Sequence, residues 1–229
     1  MSKNQSFNAM GVLELACAAQ RYNGEYVKVN EVFVTSDNKV MTTVHPNKTL
    51  MLHSLGETEH GVDAKAFTLH VTEEDKQLAA DIKKHFRKLM FSAVMNDNEF
   101  YTALNIMFTN NQVPLNKFGY FAALPSVYIR DYAETQFNKK TKDLNHDPLG
   151  IIGDYIEDRD CEVLEIFKSK TYNAYNVTAI VDNHLVSWMG KNAVNPGPCV
   201  IIKARIKGYS EHFKKGIPLT RLNYVKAFQ

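Results

Sequence analysis

The chain has 229 residues, of which 45% are hydrophobic and 23% charged, and its formal net charge is +2. This composition is ordinary for a soluble globular protein and allows one large domain or two small ones. The three cysteines, Cys17, Cys161 and Cys199, lie far apart without a CxxC pair. Their spacing argues against a disulfide framework or a thiolate metal site and favours a reducing, cytoplasmic compartment. We expect no signal peptide and no membrane association, because the apolar runs are short and interrupted.

Basic residues are concentrated towards the C-terminus. Residues 161–229 hold ten Lys and Arg against four Asp and Glu, whereas residues 1–160 hold 17 and 21. This asymmetry indicates that any surface for a polyanion lies in the C-terminal third. Basic termini are as often simply solvated, so composition alone leaves both interpretations open.

Residues 1–70 form the first predicted segment, with a short helix or buried stretch followed by a hairpin. The hairpin is indicated by alternating β-branched residues on both sides of the polar SDNK turn. Residues 50–61 predict a short strand or helix and then a loop. Four histidines follow one another at spacings that match no compact ligand motif, so we predict no metal site and interpret them as surface or hydrogen-bonded side chains: His45, His53, His60 and His70.

Residues 71–150 predict a helical region. Thr72 before Glu-Glu-Asp is typical of a helix start, and apolar residues at three- and four-residue steps predict an amphipathic helix behind it. Pro114 and Pro125 predict the starts of two further helices, since the first helical turn tolerates a missing N–H. The polar segment 138–150, which ends in Pro-Leu-Gly, predicts a linker.

Residues 151–229 contain five strand-like pieces separated by short, turn-rich segments such as Asp182-Asn183. This pattern predicts a five-stranded antiparallel OB-like β-barrel, with an SH3-like barrel as the nearest alternative. The predicted fold class of the whole chain is therefore α+β, an N-terminal hairpin and helical region followed by the barrel.

The segment CVIIKARIKGY, residues 199–209, alternates apolar and polar residues as a strand with one buried face does. The residues expected to face the core are Val200, Ile202, Ala204 and Ile206. Those expected to face outward are Lys203, Arg205, Lys207 and Tyr209. Three cations and an aromatic ring on one face favour an anionic partner that can stack.

Binding of single-stranded nucleic acid requires cations along a groove and aromatic rings on which bases stack. Trp188 shares parity with Val186, so a core position is equally consistent with its pattern. We predict no catalytic residue and no metal or other cofactor, and we take single-stranded DNA, or alternatively RNA, as the partner. The predicted binding residues are Lys203, Arg205, Lys207, Tyr209, Phe213, Lys214, Lys215, Arg221, Tyr172 and Trp188.

An enzyme is not indicated, because the chain has no GxSxG, Walker, GxGxxG or HExxH motif. One acidic cluster could in principle hold a divalent ion, as in a nuclease, but such runs at the entry to a domain are usually solvated. Its members are Asp154, Glu157, Asp158, Asp160 and Glu162.

Several motifs lie within residues 75–226, and their residues are Val186, Trp188, Met189, Ile206, Lys207, Gly208, Lys215, Gly216, Leu219, Thr220 and Arg221. These motifs resemble those of uncharacterised tailed-bacteriophage proteins in which a helical segment precedes an OB-like C-terminal module. The resemblance implies DNA replication or recombination in a phage, with other replication proteins as further partners, and it supplies no catalytic residue. The alternative is an interaction or regulatory factor whose barrel or acidic helical region docks onto a host or phage protein.

Overall fold

The structure is a computed structural model that describes residues 5–34, 37, 40–56, 68–93, 99–169, 171–192 and 194–229. Within these residues the fold is α+β, with five helices and a closed five-stranded barrel. The helices are α1 (Ala9–Asn23), α2 (Asn47–Ser54), α3 (Glu73–Ala93), α4 (Glu99–Thr109) and α5 (Phe118–Thr141). None of the described helices has the length and apolar character that crossing a membrane requires.

The chain divides into two compact units, Met1–Ala133 and Glu134–Gln229. The boundary lies within α5. Residues 138–141, which the sequence places in a linker, form the last turn of this helix. The helix continues because Phe137 is buried against Leu185 and Leu219 of the second unit. One buried aromatic residue holds a helical turn whose other residues are polar, and composition alone does not reveal this.

The core of the first unit is built from one face of each of its helices. α1 contributes small residues such as Ala16 and Ala19, which allow close packing, while Phe86 of α3 and Phe121 of α5 fill the space between the helices. Pro125 lies inside α5, although the sequence predicts a helix start near it. The neighbouring Leu124 is fully buried, and this packing outweighs the hydrogen bond that proline cannot donate.

The predicted N-terminal hairpin is present. β2 (Glu31–Val34) pairs antiparallel with β3 (Val40–Val44), and the turn residues 35, 36, 38 and 39 lie outside the described residues. A second two-stranded sheet joins β1 (Ser6–Phe7) to β4 (Val113–Pro114). Residues 50–54 belong to α2, which resolves the predicted strand-or-helix alternative in favour of a helix.

An ion pair fastens the start of α3 to α1. Arg21 donates from Nε and Nη2 to both oxygens of Asp75, at distances of 2.8 to 3.3 Å. The Asp75 carboxylate also accepts from the backbone N–H and hydroxyl of Thr72, which in turn caps the helix. Burial opposes ionisation of Asp75, but the hydrogen bonds from Arg21 and Thr72 outweigh it, so its pKa lies below the usual value.

We expect Asp75→Asn to lower the free energy of unfolding by about 2 kcal/mol at pH 7, because the charged hydrogen bonds from Arg21 are lost. The pKa of Asp75 is lower in the folded than in the unfolded protein, so its ionised carboxylate stabilises the fold at pH values above the unfolded-state pKa, which is about 4. This stabilisation is lost as the pH falls through the folded-state pKa. The difference between wild type and variant should therefore disappear in acid. Urea unfolding followed by circular dichroism between pH 2 and pH 7 measures it.

The control for this variant is Glu73→Gln, in the same helical turn. Glu73 pairs with Lys76 on the surface, and its side chain is 85% exposed. We expect a change of less than about 0.5 kcal/mol for this exposed pair. Equal effects of the two substitutions at neutral pH would contradict the role assigned to Asp75.

The second unit contains the barrel, formed by β5 (Tyr155–Lys168), β6 (Tyr175–Val181), β7 (His184–Gly190), β8 (Gly197–Glu211) and β9 (Pro218–Phe228). The strands close in the order β5-β6-β7-β9-β8. The prediction of an antiparallel barrel is wrong in one respect, because β7 and β9 run parallel at Val186–Thr220 and Ser187–Arg221. β9 enters the sheet between β7 and β8, and local sequence patterns carry no information about strand order. The predicted turn at Asp182-Asn183 joins β6 to β7, with positive φ at both residues.

The alternation predicted for β8 holds over only half of the strand. Ala204 and Ile206 face the core as predicted, whereas Val200 and Ile202 are 37% and 48% exposed and Ile201 is fully buried. The cause is a bulge, because β8 advances from Ile201 to Lys203 while its partner β9 advances by one residue. The extra residue exchanges the inward and outward positions before the bulge, so that Ile201 is buried and Ile202 is exposed. After the bulge the predicted alternation holds, and Lys203, Arg205 and Lys207 stay on the outer face.

Cys161 and Cys199 are joined in a disulfide, contrary to the prediction of unpaired thiols. They lie opposite each other in the pairing of β5 with β8, with their Cα atoms 5.2 Å apart. A separation of 38 residues in sequence conceals this juxtaposition. Cys17 is a buried free thiol of α1, and burial raises its pKa to about 12, so it is a poor nucleophile.

Candidate functional site

A cleft of about 700 Å³ opens on one side of the barrel. It is bounded by the end of β5, by β6 and β7, by the second half of β8, by the first part of β9 and by the connection from β8 to β9. The described residues that line it are Phe167, Asn176, Val177, Thr178, Ser187, Trp188, Met189, Lys207, Ser210, Glu211, His212, Phe213, Leu219, Arg221, Leu222, Asn223 and Tyr224. The cleft therefore combines apolar walls with charged and amide side chains.

Two aromatic rings at the cleft are freely accessible. Phe213 is 74% exposed and Tyr224 is 76% exposed, and both lie in or beside the β8–β9 hairpin. The backbone of Tyr224 has a φ of 53°, a left-handed conformation that is unusual for a bulky residue. Trp188 also lines the cleft, but it is only 7% exposed and belongs to the barrel core, so little of its ring is accessible.

Phe213 is supported by its neighbours. Its ring lies edge-to-face with Phe167 at 5.9 Å, and the ammonium of Lys214 lies 4.3 Å from the Phe167 ring and 5.2 Å from the Phe213 ring. These contacts hold a cation directly beside two rings, an arrangement that favours both stacking and charge attraction.

Lys207 and Arg221 supply positive charge at the cleft itself. Within the part of the chain that the structure describes, neither forms an ion pair with a carboxylate. Their charges are therefore available to a ligand. Of the predicted binding residues, the cleft brings together Lys207, Phe213, Arg221 and Trp188, with Lys214 beside them.

Three other predicted residues lie on the surface formed by β5 and β8. Lys203 is bound to Glu157 at 2.6 Å and lies 4.6 Å from the Tyr155 ring, and the carboxylate raises its pKa. Arg205 donates to the carbonyl oxygen of Gly153 at 3.1 Å, and the Tyr209 hydroxyl donates to that of Gly150 at 2.6 Å. These side chains are outward, as predicted, but they are occupied by contacts within the barrel.

Lys215 and Tyr172 do not belong to the cleft. Lys215 forms an ion pair with Glu134 near the C-terminal end of α5. Tyr172 is exposed in the connection from β5 to β6, where Ser169 accepts a hydrogen bond from its backbone N–H. The predicted set of ten residues is therefore divided between the cleft and other parts of the barrel surface.

One of the residues that line the cleft is a buried histidine. His212 is 2% exposed, its ring lies 4.9 Å from Phe137 and 5.1 Å from Phe213, and its Nε2 is 3.2 Å from a carboxylate oxygen of Glu165. Its backbone carbonyl accepts from the N–H groups of Lys215 and Gly216. His212 therefore fixes the turn that carries Phe213.

Three of the five residues of the acidic cluster are engaged in structural contacts. Glu157 pairs with Lys203, Glu162 pairs with Lys140, and Asp154 accepts from the backbone N–H of Ile151. Among the described residues no group of three or more His, Cys, Asp or Glu side chains is placed to hold a metal ion. His60 lies outside the described residues.

The sequence prediction omitted several side chains that line the cleft. Phe167 lies next to the last residue of β5, and Glu211 lies in a segment interpreted only as a turn-rich separator. Asn176 and Asn223 also line the cleft. In the sequence they are recognisable only as amide residues within strand-like segments. An amide in a mostly apolar strand requires a hydrogen-bonding partner, which a ligand can supply.

The chain was compared with protein-family models, with curated proteins and with solved structures, and none of the three comparisons gives a match.

Proposed function

We propose that this chain binds single-stranded DNA in the cleft of its C-terminal barrel and catalyses no reaction. The observation that carries the proposal is the combination in one cleft of two accessible rings, Phe213 and Tyr224, with the cations Lys207 and Arg221, which pair with no carboxylate among the described residues. Stacking on such rings contributes about 1–3 kcal/mol per base, and each neutralised phosphate releases bound counterion. Single strands offer free base faces, whereas the bases of a duplex are stacked on one another.

The position of the cleft supports an OB-like interpretation of the barrel. OB-type barrels are Greek-key barrels that bind oligonucleotides on the face of the second and third strands and on the loops after the first and fourth. Here β6 and β7 are the second and third strands, and the β8–β9 connection follows the fourth. The cleft is lined by these same elements.

We propose replication or recombination of bacteriophage DNA as the setting, with other replication proteins as further partners. This part rests on the motif resemblance, which runs through Trp188, Lys207 and Arg221. All three residues line the cleft. Single-stranded RNA offers the same phosphates and base faces and is the alternative ligand.

The experiment that tests this function follows the fluorescence of Trp188, the single tryptophan of the chain, during titration with nucleic acid. Bases in the cleft lie close to this side chain, so a single-stranded oligonucleotide should change its emission saturably. A duplex of the same length should compete weakly. Equal responses to single strand and duplex, or no response to either, would contradict the proposal.

We expect Phe213→Ala to weaken single-strand binding by about tenfold, because one stacking contact is lost. The dependence of the binding constant on salt should be unchanged, since a neutral ring releases no counterion. The matched control is Phe228→Ala, which removes a ring that is 70% exposed at the end of β9 and does not line the cleft. Fluorescence anisotropy of a labelled oligonucleotide measures both variants, and equal losses would indicate that the cleft has no special role.

An apolar surface beside β5 and β8 favours a second candidate function, docking onto a protein. Ile151 is 73% exposed and Ile152 is 57% exposed, in a loop tied to β8 by hydrogen bonds between Gly153 and Ile206 and between Asp154 and Ile206. A loop that presents two exposed isoleucines suits a protein partner better than a phosphate backbone. This candidate is favoured if the barrel binds no single strand while Ile151→Asp abolishes a protein complex that wild type forms.

A further inference from the structure

The cleft contains a negative charge that simple phosphate attraction does not explain. Glu211 is the one carboxylate among the described residues that line it, and its side chain is exposed at the end of β8. Within the described part of the chain, Glu211 forms no ion pair. A carboxylate in this position repels phosphates, but it accepts hydrogen bonds from the amino groups of nucleobases.

A second acceptor lies on the same lining. The Oδ1 atom of Asn223 is buried and has no hydrogen-bond partner among the described residues. An unpaired buried oxygen is costly, and a donor from a ligand relieves that cost. The last torsion of an Asn side chain is soft, so a small turn of the amide brings this oxygen to a bound base.

We propose that the cleft selects nucleobases carrying an exocyclic amino group, with Glu211 and Asn223 as acceptors for the amino groups of two different bases, because Glu211 pairs with Pro218 and Asn223 lies five residues further along β9. Cytosine and adenine carry such a group, whereas uracil and thymine carry a carbonyl oxygen at the corresponding position. The carbonyl oxygen carries a partial negative charge and is therefore repelled by the Glu211 carboxylate. Lys207 and Arg221 hold the phosphates, and Phe213 stacks on the base beside Glu211, so the selectivity rests on the proposed single-strand binding.

Dodecamers of deoxycytidine and deoxyuridine test the selectivity, because the two share a backbone and a ring size and differ at the amino-bearing edge. Wild type should bind the cytosine dodecamer about tenfold more tightly or better at equal salt. Equal affinity for the two would overturn the inference while leaving single-strand binding intact. Failure to bind either would instead count against the proposed function.

Glu211→Ala separates recognition of the amino group from general electrostatics. The inference requires weaker binding of the cytosine dodecamer together with unchanged or tighter binding of the uracil dodecamer. A carboxylate that only repels phosphates would give tighter binding of both by the same factor, and that result would overturn the proposal. Asp160→Ala, which removes an exposed carboxylate of β5 that does not line the cleft, is the control for the change in net charge.

Asn223→Leu keeps the approximate shape of the side chain and removes its acceptor. We expect the preference for cytosine to decrease at least about threefold while the dependence of binding on salt stays the same. A variant that retains the full preference would remove Asn223 from the proposal. Circular dichroism of each variant confirms the barrel before binding is compared.

Discussion

Ile201→Asp should unfold the barrel, whereas Ile202→Asp should leave it folded. Ile201 is fully buried in the core, and a carboxylate there has no partner, so we expect a loss of more than about 4 kcal/mol. Ile202 is 48% exposed because the bulge in β8 turns it outward, and we expect a change of less than about 1 kcal/mol there. Near-ultraviolet circular dichroism and urea unfolding measure the difference.

These neighbouring substitutions introduce the same residue on opposite faces of one strand, so each is the control for the other. A strand with the uninterrupted alternation that the sequence suggests would give the reverse outcome. Loss of the barrel in the Ile202 variant, with a stable Ile201 variant, would therefore contradict the bulge and the inward direction assigned to Ile201.

The second large effect concerns binding. The double variant Lys207→Ala, Arg221→Ala should bind single-stranded DNA about a hundredfold more weakly at low salt, because two phosphate contacts are lost. The logarithmic slope of the binding constant against salt should become flatter by about 1.4, at roughly 0.7 per contact. Titration of a labelled oligonucleotide at several salt concentrations measures both quantities.

Lys203→Ala is the matched control, since it removes the same kind of charge from the same strand. Its ammonium is already paired with Glu157 and lies away from the cleft, so we expect little change in affinity or in slope. If Lys203→Ala flattened the slope as much as the double variant, the phosphates would follow the β5–β8 surface rather than the cleft.

Much of the fold follows from local patterns in the sequence. Alternating apolar and polar residues, capping residues and turn residues predict the hairpin, the start of α3 at Thr72 and the five strands of the barrel. Each of these signals spans only a few residues. The outward direction of Lys203, Arg205 and Lys207 was also predictable. The bulge leaves that part of β8 in its expected parity.

The rest depends on contacts between residues that are distant in sequence. The pairing of β5 with β8 joins Lys203 to Glu157 and Cys161 to Cys199, and the parallel pairing of β7 with β9 sets where the cleft opens. None of these partners is specified by a local period. The candidate site was therefore predicted by residue type, as cations and rings, while its location on the β6–β7 side required the strand order.

The proposed binding of single-stranded DNA is best tested by the salt dependence of the wild-type affinity. Lys207 and Arg221 each contact one phosphate in this account, so the logarithm of the binding constant should fall with the logarithm of salt concentration with a slope of about −1.4 or steeper. A duplex of equal length should bind more weakly at every concentration. Absence of salt-dependent binding to any single strand at low ionic strength would contradict the claim.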